Sequence, residues 1–256
     1  MPILKVDIRA KEYLTSKGEG LLVMSDLNFE IKRGEFMCIV GPSGCGKTTL
    51  LNIMAGLDNH YYGSVLYTGE RTRKVNSDRI LIFQDLGLFP WLTVRQNVEF
   101  GLRVRGMSKS GRGKISRKYL EMVKLGKFSD YFIHELSGGM RQRVALARAL
   151  AVESDILLMD EPFSFLDAQT RDTLYEELQR IWAITRKTII FVSHNVREAV
   201  CLGDRVLVFS ASPNSKIKAV FKIDLPRPRL IESEGLMSEV RPIMEALKPE
   251  IGRSHG

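Results

Sequence analysis

A chain of 256 residues with 44% hydrophobic and 27% charged positions has the makeup of a folded globular protein of one large or two small domains, which excludes wholesale disorder and any need for disulfide staples. The formal charge of +8 favours anionic partners, whether nucleotides, nucleic acid or a membrane surface, without choosing among them. No apolar run exceeds five residues, far below the ~20 that a transmembrane helix needs.

Along the chain, the opening stretch carries Lys5, Asp7 and Arg9 and lacks the apolar core of a secretory signal. Residues 21–40 alternate as two strands around the turn Lys32-Arg33-Gly34, and Phe36–Val40 is a wholly apolar, buried-strand run. A glycine-rich loop and a helical pattern from Thr48 follow. ILIFQD at 80–85 predicts another buried strand, and the texture from Val94 to Leu150 is helical. The basic stretch Lys109–Lys118 between these helices reads as a solvated loop. ILLMDE at 156–161 and TIIFVSH at 188–194 are short apolar strands ending in polar residues, with a helical segment between them. VLVFS at 206–210 and AVFKIDL at 219–225 look like closing strands. LPRPRL at 225–230 is excluded from helix and sheet interiors because proline removes donors, and a short helix is expected near 236–248. Strands alternating with helices imply an α/β core with a mostly parallel sheet. The three scattered cysteines, Cys38, Cys45 and Cys201, read as reduced thiols of a cytosolic protein.

Three segments carry chemistry. GPSGCGKT at 41–48 fits G-x-x-x-x-G-K-[ST] and stands in the strand–loop–helix context that this phosphate-binding motif requires. Gly41, Gly44 and Gly46 let backbone N–H groups turn towards an anion. The new helix points its positive end at phosphates. Lys47 neutralises charge between the β- and γ-phosphates, and the Thr48 hydroxyl reaches Mg²⁺. The strand at 156–161 delivers Asp160 as a second Mg²⁺ ligand and Glu161 as a group that polarises water. LSGGMRQR at 136–143 places Ser137, Gly138 and Gly139 at a helix N-terminus, a second anion site; the glycine pair points to close backbone approach by a ligand.

The order of these motifs resembles the nucleotide-binding subunit of ATP-binding-cassette transporters over about residues 3–230. The correspondence covers the P-loop, a Q-loop glutamine at Gln84, the signature LSGGM at 136–140, the acidic strand, a D-loop SFLDA at 164–168 and a switch histidine at His194. The resemblance implies a P-loop NTPase, RecA-like α/β core with a mainly parallel sheet. An antiparallel β subdomain lies at its N-terminus and an α-helical subdomain is inserted. The core spans 1–93 and 151–230, the helical signature subdomain 94–150 and a tail helix 231–256. ATP and Mg²⁺ are the implied ligands. Gly41, Pro42, Ser43, Gly44, Cys45, Gly46, Lys47, Thr48 and Thr49 would surround the phosphates, and Tyr13 looks like the aromatic that stacks on adenine. Gln84 would touch Mg²⁺ and the attacking water, Glu161 would be the general base, and His194 would contact the γ-phosphate. Ser137, Gly138, Gly139 and Asp167 would face the partner subunit's nucleotide in an ATP-induced, head-to-tail homodimer. His60, His134 and His255 read as surface residues.

FPWLTVRQNV at 89–98, LDAQTR at 166–171 and LPRPR at 225–229 look like the nitrate, sulfonate and taurine importer group. This implies a cytoplasmic protein, peripheral on the inner face of the membrane. Its partners would be integral permease subunits and, indirectly, an extracytoplasmic solute-binding protein. Phe89, Pro90 and Trp91 are candidates for an aromatic groove that receives a permease helix, or for packing within the insert. A soluble cassette ATPase acting on nucleic acid or the ribosome is the alternative, although no nucleic acid is expected as partner. Phe165, Asn195 and Ile133 stand where the family usually has a small residue, an aspartate and a proline.

Overall fold

The computed structural model describes residues 1–14, 18–72 and 74–253. Two compact units divide the chain, Met1–Asn76 with Thr185–Gly256, and Ser77–Ile184. The segments at 77–93 and 151–184 therefore group with the helices between them.

The first unit begins with β1 (Pro2–Leu14) and β2 (Gly20–Lys32), a long antiparallel pair, followed by β3 (Phe36–Val40), α1 (Lys47–Ala55), β4 (Tyr62–Tyr67) and the short β5 (Glu70–Arg71). One sheet has the order β2-β1-β4-β5, antiparallel throughout. Leu4, Val6 and Ile8 bury alternate positions of β1. After Ile8 the register against β4 slips, and the next buried position is Lys11, not Ala10. A bulge changes the phase of a strand in this way. Gly63 faces the slip: a Cβ there would stand 2.1 Å from the Asp7 carbonyl oxygen.

The chain then enters the second unit with β6 (Arg79–Ile82), α2 (Val94–Val104), α3 (Lys109–Met122), α4 (Gly138–Ala151), β7 (Ile156–Asp160) and α5 (Ala168–Thr185). β6 and β7 pair in parallel. The strand expected over 80–85 stops at Ile82, because the Gln84 segment leaves the sheet as a loop. α2 opens on a capping box: the Thr93 hydroxyl accepts from the Gln96 amide, and the Gln96 side chain accepts from the Thr93 N–H at 3.0 Å. Val94, Val98 and Leu102 form its buried stripe.

The basic stretch at 109–118 is not a loop. It is the body of α3, capped by Ser108, whose hydroxyl accepts from the Gly111 amide. Two glycines and many charges hide the helix in the sequence. What sustains it is Tyr119 and Leu120 buried at its far end, and Arg112 and Ser116 tied to Glu99 of α2.

The first unit is completed by β8 (Thr188–Ser193), α6 (Val196–Leu202), β9 (Arg205–Phe209), β10 (Ile217–Lys222) and α7 (Glu234–Arg253). β3 lies between β8 and β9, parallel to both, and β10 adds antiparallel to β9. All five residues of β3 are buried, as expected of a strand flanked on both edges. The proline segment at 225–230 is neither helix nor strand. Its Arg229 is 4% exposed and donates to the carbonyls of Val200 at 2.7 Å and Leu225 at 2.9 Å, anchoring the end of α6. Burial, then the neighbouring Arg227, pushes this guanidinium down to about 10. α7 runs longer than 236–248; its buried stripe of Leu236, Val240, Ile243 and Leu247 lies at helical spacing.

Candidate nucleotide site

In the first unit, β3 ends at Val40 and the chain turns through residues 41–46 into α1. Gly44 and Gly46 take φ of +76° and +90°, the left-handed region that other residues adopt only under strain. Gly41 is needed for space: a Cβ there would stand 2.8 Å from Cys45 Sγ and 2.9 Å from Phe209 Cβ. Lys47 is 6% exposed and donates from Nζ to the carbonyls of Gly41 and Pro42, both at 2.8 Å. Thr48, Ser43 and Gly44 are exposed and Thr49 half-buried. A buried cation held inside a glycine loop at a helix N-terminus fits a polyphosphate. Cys45 is wholly buried, and burial raises its thiol above the ordinary range against the pull of Lys47.

His194 follows the buried strand β8 and is exposed. Asn195 next to it is the N-cap of α6, accepting from the Arg197 amide at 3.0 Å. Asparagine caps as well as aspartate does, so this departure keeps the local structure. Tyr13, near the end of β1, is 43% exposed. His60 is exposed, and His255 lies outside the described residues.

In the second unit, the Gln84 amide donates from Nε2 to Ser164 Oγ at 3.3 Å, and that hydroxyl donates to the Glu161 carbonyl oxygen at 3.0 Å. Gln84 is thereby linked to the Glu161 backbone. Asp160 ends β7 at 6% exposure. Glu161 has φ +43°, a left-handed conformation that turns the chain off the strand. Asp167 accepts from the Thr170 amide at 2.9 Å; that bond, opposed by slight desolvation, holds its carboxyl below the usual range. Phe165 stands 78% exposed. Ser137 caps α4, accepting from the Met140 amide at 3.3 Å. The glycine pair beside it has an internal explanation that the sequence does not reveal. A Cβ at Gly139 would stand 2.7 Å from Thr170 Cγ2, and one at Gly138 3.1 Å from Leu166 Cδ2. Close approach to a ligand is therefore not the only reason for glycine here. His134 is exposed and stacks on Phe132.

Three supporting residues escape a motif reading. Arg148 of α4 donates to the carbonyls of Leu86 and Gly87, both at 2.6 Å. Asn97, fully buried, accepts from the Phe89 amide and donates to the carbonyls of Phe89, Leu92 and Thr93. The available signal for Asn97 is a polar residue on the apolar stripe of α2. Lys11 is the third, a lysine in a buried strand phase.

The ABC transporter family matches over residues 24–164. This chain belongs to that family. An uncharacterised ABC transporter ATP-binding protein of Methanocaldococcus jannaschii is 47% identical over 93% of the chain and 88% of its own length. A nitrate import ATP-binding protein of Synechocystis is 45% identical, covering 82% and 79%. An aliphatic sulfonates import ATP-binding protein of Bacillus cereus is 42% identical, covering 90% of each chain. Among solved structures, a dimeric, post-hydrolysis ATP-binding cassette bound to ADP and phosphate superimposes with a TM-score of 0.75 at 31% identity. It is covered completely by 87% of this ABC protein. No helix among the described residues is long and apolar enough to cross a membrane.

Proposed function

We propose that this chain is the ATP-hydrolysing subunit of an importer that moves a small anionic or polar solute of the nitrate or sulfonate kind. The observation that carries the reading is the buried Lys47 ammonium inside the glycine loop that opens α1, in a chain of this family. Residues 41–49 bind the phosphates, and Tyr13 stacks on the base. Thr48 and Asp160 offer the hard oxygen donors that Mg²⁺ prefers, with Gln84 adding a third. Mg²⁺ held by these residues would supply positive charge against the nucleotide phosphates.

Glu161 takes the proton from the attacking water. Gln84 positions that water, and His194 contacts the γ-phosphate. Ser137, Gly138, Gly139 and Asp167 address the nucleotide of a second copy, so ATP closes a head-to-tail homodimer and hydrolysis releases it. The closure is passed to integral permease subunits at the inner face of the membrane, and a solute-binding protein supplies the solute. No nucleic acid takes part, and the importer names of the relatives favour this reading over one on the ribosome.

Purified protein with Mg²⁺ is expected to release phosphate from ATP. Lys47→Ala is expected to lose ATP binding, because the phosphate charge loses its cation. Unchanged binding by a folded Lys47→Ala variant overturns the site.

A further inference from the structure

Tyr13 does not stand alone at the end of β1. Lys11, two residues before it, is 1% exposed, which is unusual for a lysine without a partner. Its Nζ donates to Asp58 Oδ2 at 2.8 Å and to the His60 carbonyl at 2.8 Å. The same ammonium lies 4.2 Å from the centre of the Tyr13 ring, within cation–π range. The Tyr13 hydroxyl in turn donates to Asp58 Oδ2 at 3.2 Å, and the His60 amide donates to Oδ1 at 2.9 Å. Burial raises the Asp58 carboxyl, but the bonds from Lys11, His60 and Tyr13 together hold it below its ordinary value. The ring is fixed at two points, its hydroxyl by Asp58 and its π-face by Lys11, while 43% of the residue stays exposed.

We propose that Lys11 and Asp58 are positioning residues that set the Tyr13 ring as a stacking platform for the nucleotide base. The inference rests on the reading of Tyr13 as the base-stacking residue. The register slip after Ile8 is what makes it possible, since it brings Lys11 into the buried phase and leaves Tyr13 in step with it. A fixed ring has less freedom to lose when the base arrives.

The test separates base binding from phosphate binding. Affinities for Mg·ATP and for inorganic tripolyphosphate with Mg²⁺ are measured on the full chain and on Tyr13→Ala, Lys11→Met, Asp58→Asn and the double variant Lys11→Met/Tyr13→Ala. Tyr13→Ala is expected to weaken ATP about tenfold, as loss of one base–aromatic stack does, and to leave tripolyphosphate unchanged. Lys11→Met and Asp58→Asn are expected to weaken ATP about threefold to fivefold, a partial loss of that same stack, with tripolyphosphate again unchanged. Adding Lys11→Met to Tyr13→Ala is expected to cost nothing further. Equal losses for both ligands in Lys11→Met and Asp58→Asn mean a merely structural role and overturn the proposal. So does an unchanged ATP affinity in these two variants while Tyr13→Ala loses it. If Tyr13→Ala itself binds ATP normally, the stacking role falls, and the positioning role with it. Asp58→Asn keeps the side-chain volume, so the ratio is measurable even where Lys11→Met folds poorly.

Discussion

Arg148 donates from Nη1 to the Gly87 carbonyl at 2.6 Å while its Nη2 takes the Leu86 carbonyl at the same distance. Both acceptors sit on left-handed residues, Leu86 at φ +63° and Gly87 at φ +51°, three residues or fewer past Gln84. Arg148 belongs to α4, the helix that opens at Gly138. One side chain thus ties the helix that opens at Gly138 to the turn that follows Gln84. Burial depresses the guanidinium, with Asp85 opposing that shift. A half-buried cation that satisfies two main-chain carbonyls is costly to remove.

Arg148→Ala is expected to destabilise the protein by about 2 kcal/mol, because two charge-assisted bonds, one part-buried and one exposed, are lost. In a chain of this size that lowers Tm by about 4–8 °C. Arg148→Lys keeps the charge but cannot fork to both carbonyls. It is expected to retain most of the stability and ATP affinity while ATPase turnover falls, since Gln84 loses its fixed support. Thermal melts with single-turnover kinetics on the two variants check this; full turnover in Arg148→Lys contradicts it.

Glu161→Gln is expected to bind Mg·ATP with near-normal affinity and to lose nearly all hydrolysis, because an amide does not accept the proton. The left-handed backbone at Glu161 and its carbonyl bond from Ser164 are main-chain features that the substitution leaves in place. ATP then accumulates in a closed dimer, visible by size-exclusion chromatography. A variant that turns over at the parent rate removes Glu161 from the role of base.

The family is legible in the motifs because their chemistry demands particular residue types at fixed spacing. The supporting shell is not, because it is built by tertiary contact. Gly41 is crowded by Cys45 of its own loop but equally by Phe209, far along the chain, and Gly139 by Thr170; neither Phe209 nor Thr170 is visible from the motif. Apolar runs predicted β3, β7 and β8 well, since strands flanked on both faces read as continuous hydrophobic segments. The helix at 109–122 is hidden in the sequence because its glycines and charges outweigh a buried surface concentrated at its last turns. Cys45 looks from the sequence like a handle for a maleimide. Its complete burial and raised thiol leave little reactive thiolate, so labelling there requires the loop to open.

Glu177 of α5 is buried and paired with Arg143 of α4, Nε to Oε2 at 2.8 Å. Burial pushes its carboxyl above the ordinary value, and the attraction of Arg143, Lys124 and Arg180 only partly offsets this. A carboxyl raised by folding contributes stability that is fully present below its unfolded value, about 4.3. That contribution is lost as pH rises through the raised folded value. Glu177→Gln removes the titration. Its stability relative to the parent is therefore expected to improve between pH 4 and pH 8, measured by urea unfolding across that range. A difference that stays flat, or moves the other way, shows that the ion pair outweighs burial.

An aromatic cluster precedes α2. The Phe89 ring packs 4.5 Å from Phe100 and 5.6 Å from Trp91, centre to centre. Asn97 pins the backbone under it with one accepted and three donated bonds. Trp91 stands at the outer end of this stack, 70% exposed. An indole so exposed contributes little to packing within the helical insert. Phe89 is the residue that packs, and Trp91 is the one presented. Trp91→Ala is accordingly expected to lower Tm by no more than about 2 °C, since little apolar surface leaves the interior, and to leave ATP affinity unchanged. If Trp91 anchors a permease helix, its removal costs about 2 kcal/mol of that contact, or about thirtyfold in affinity. Asn97→Ala serves as the contrasting variant: its part-buried bonds to the backbone of Phe89, Leu92 and Thr93 are lost, so it is expected to lower both Tm and permease binding. Pull-down with the permease and thermal melts on both variants decide the matter. A Trp91→Ala protein that melts several degrees early yet captures permease at parent strength places this indole in the core and not at the interface.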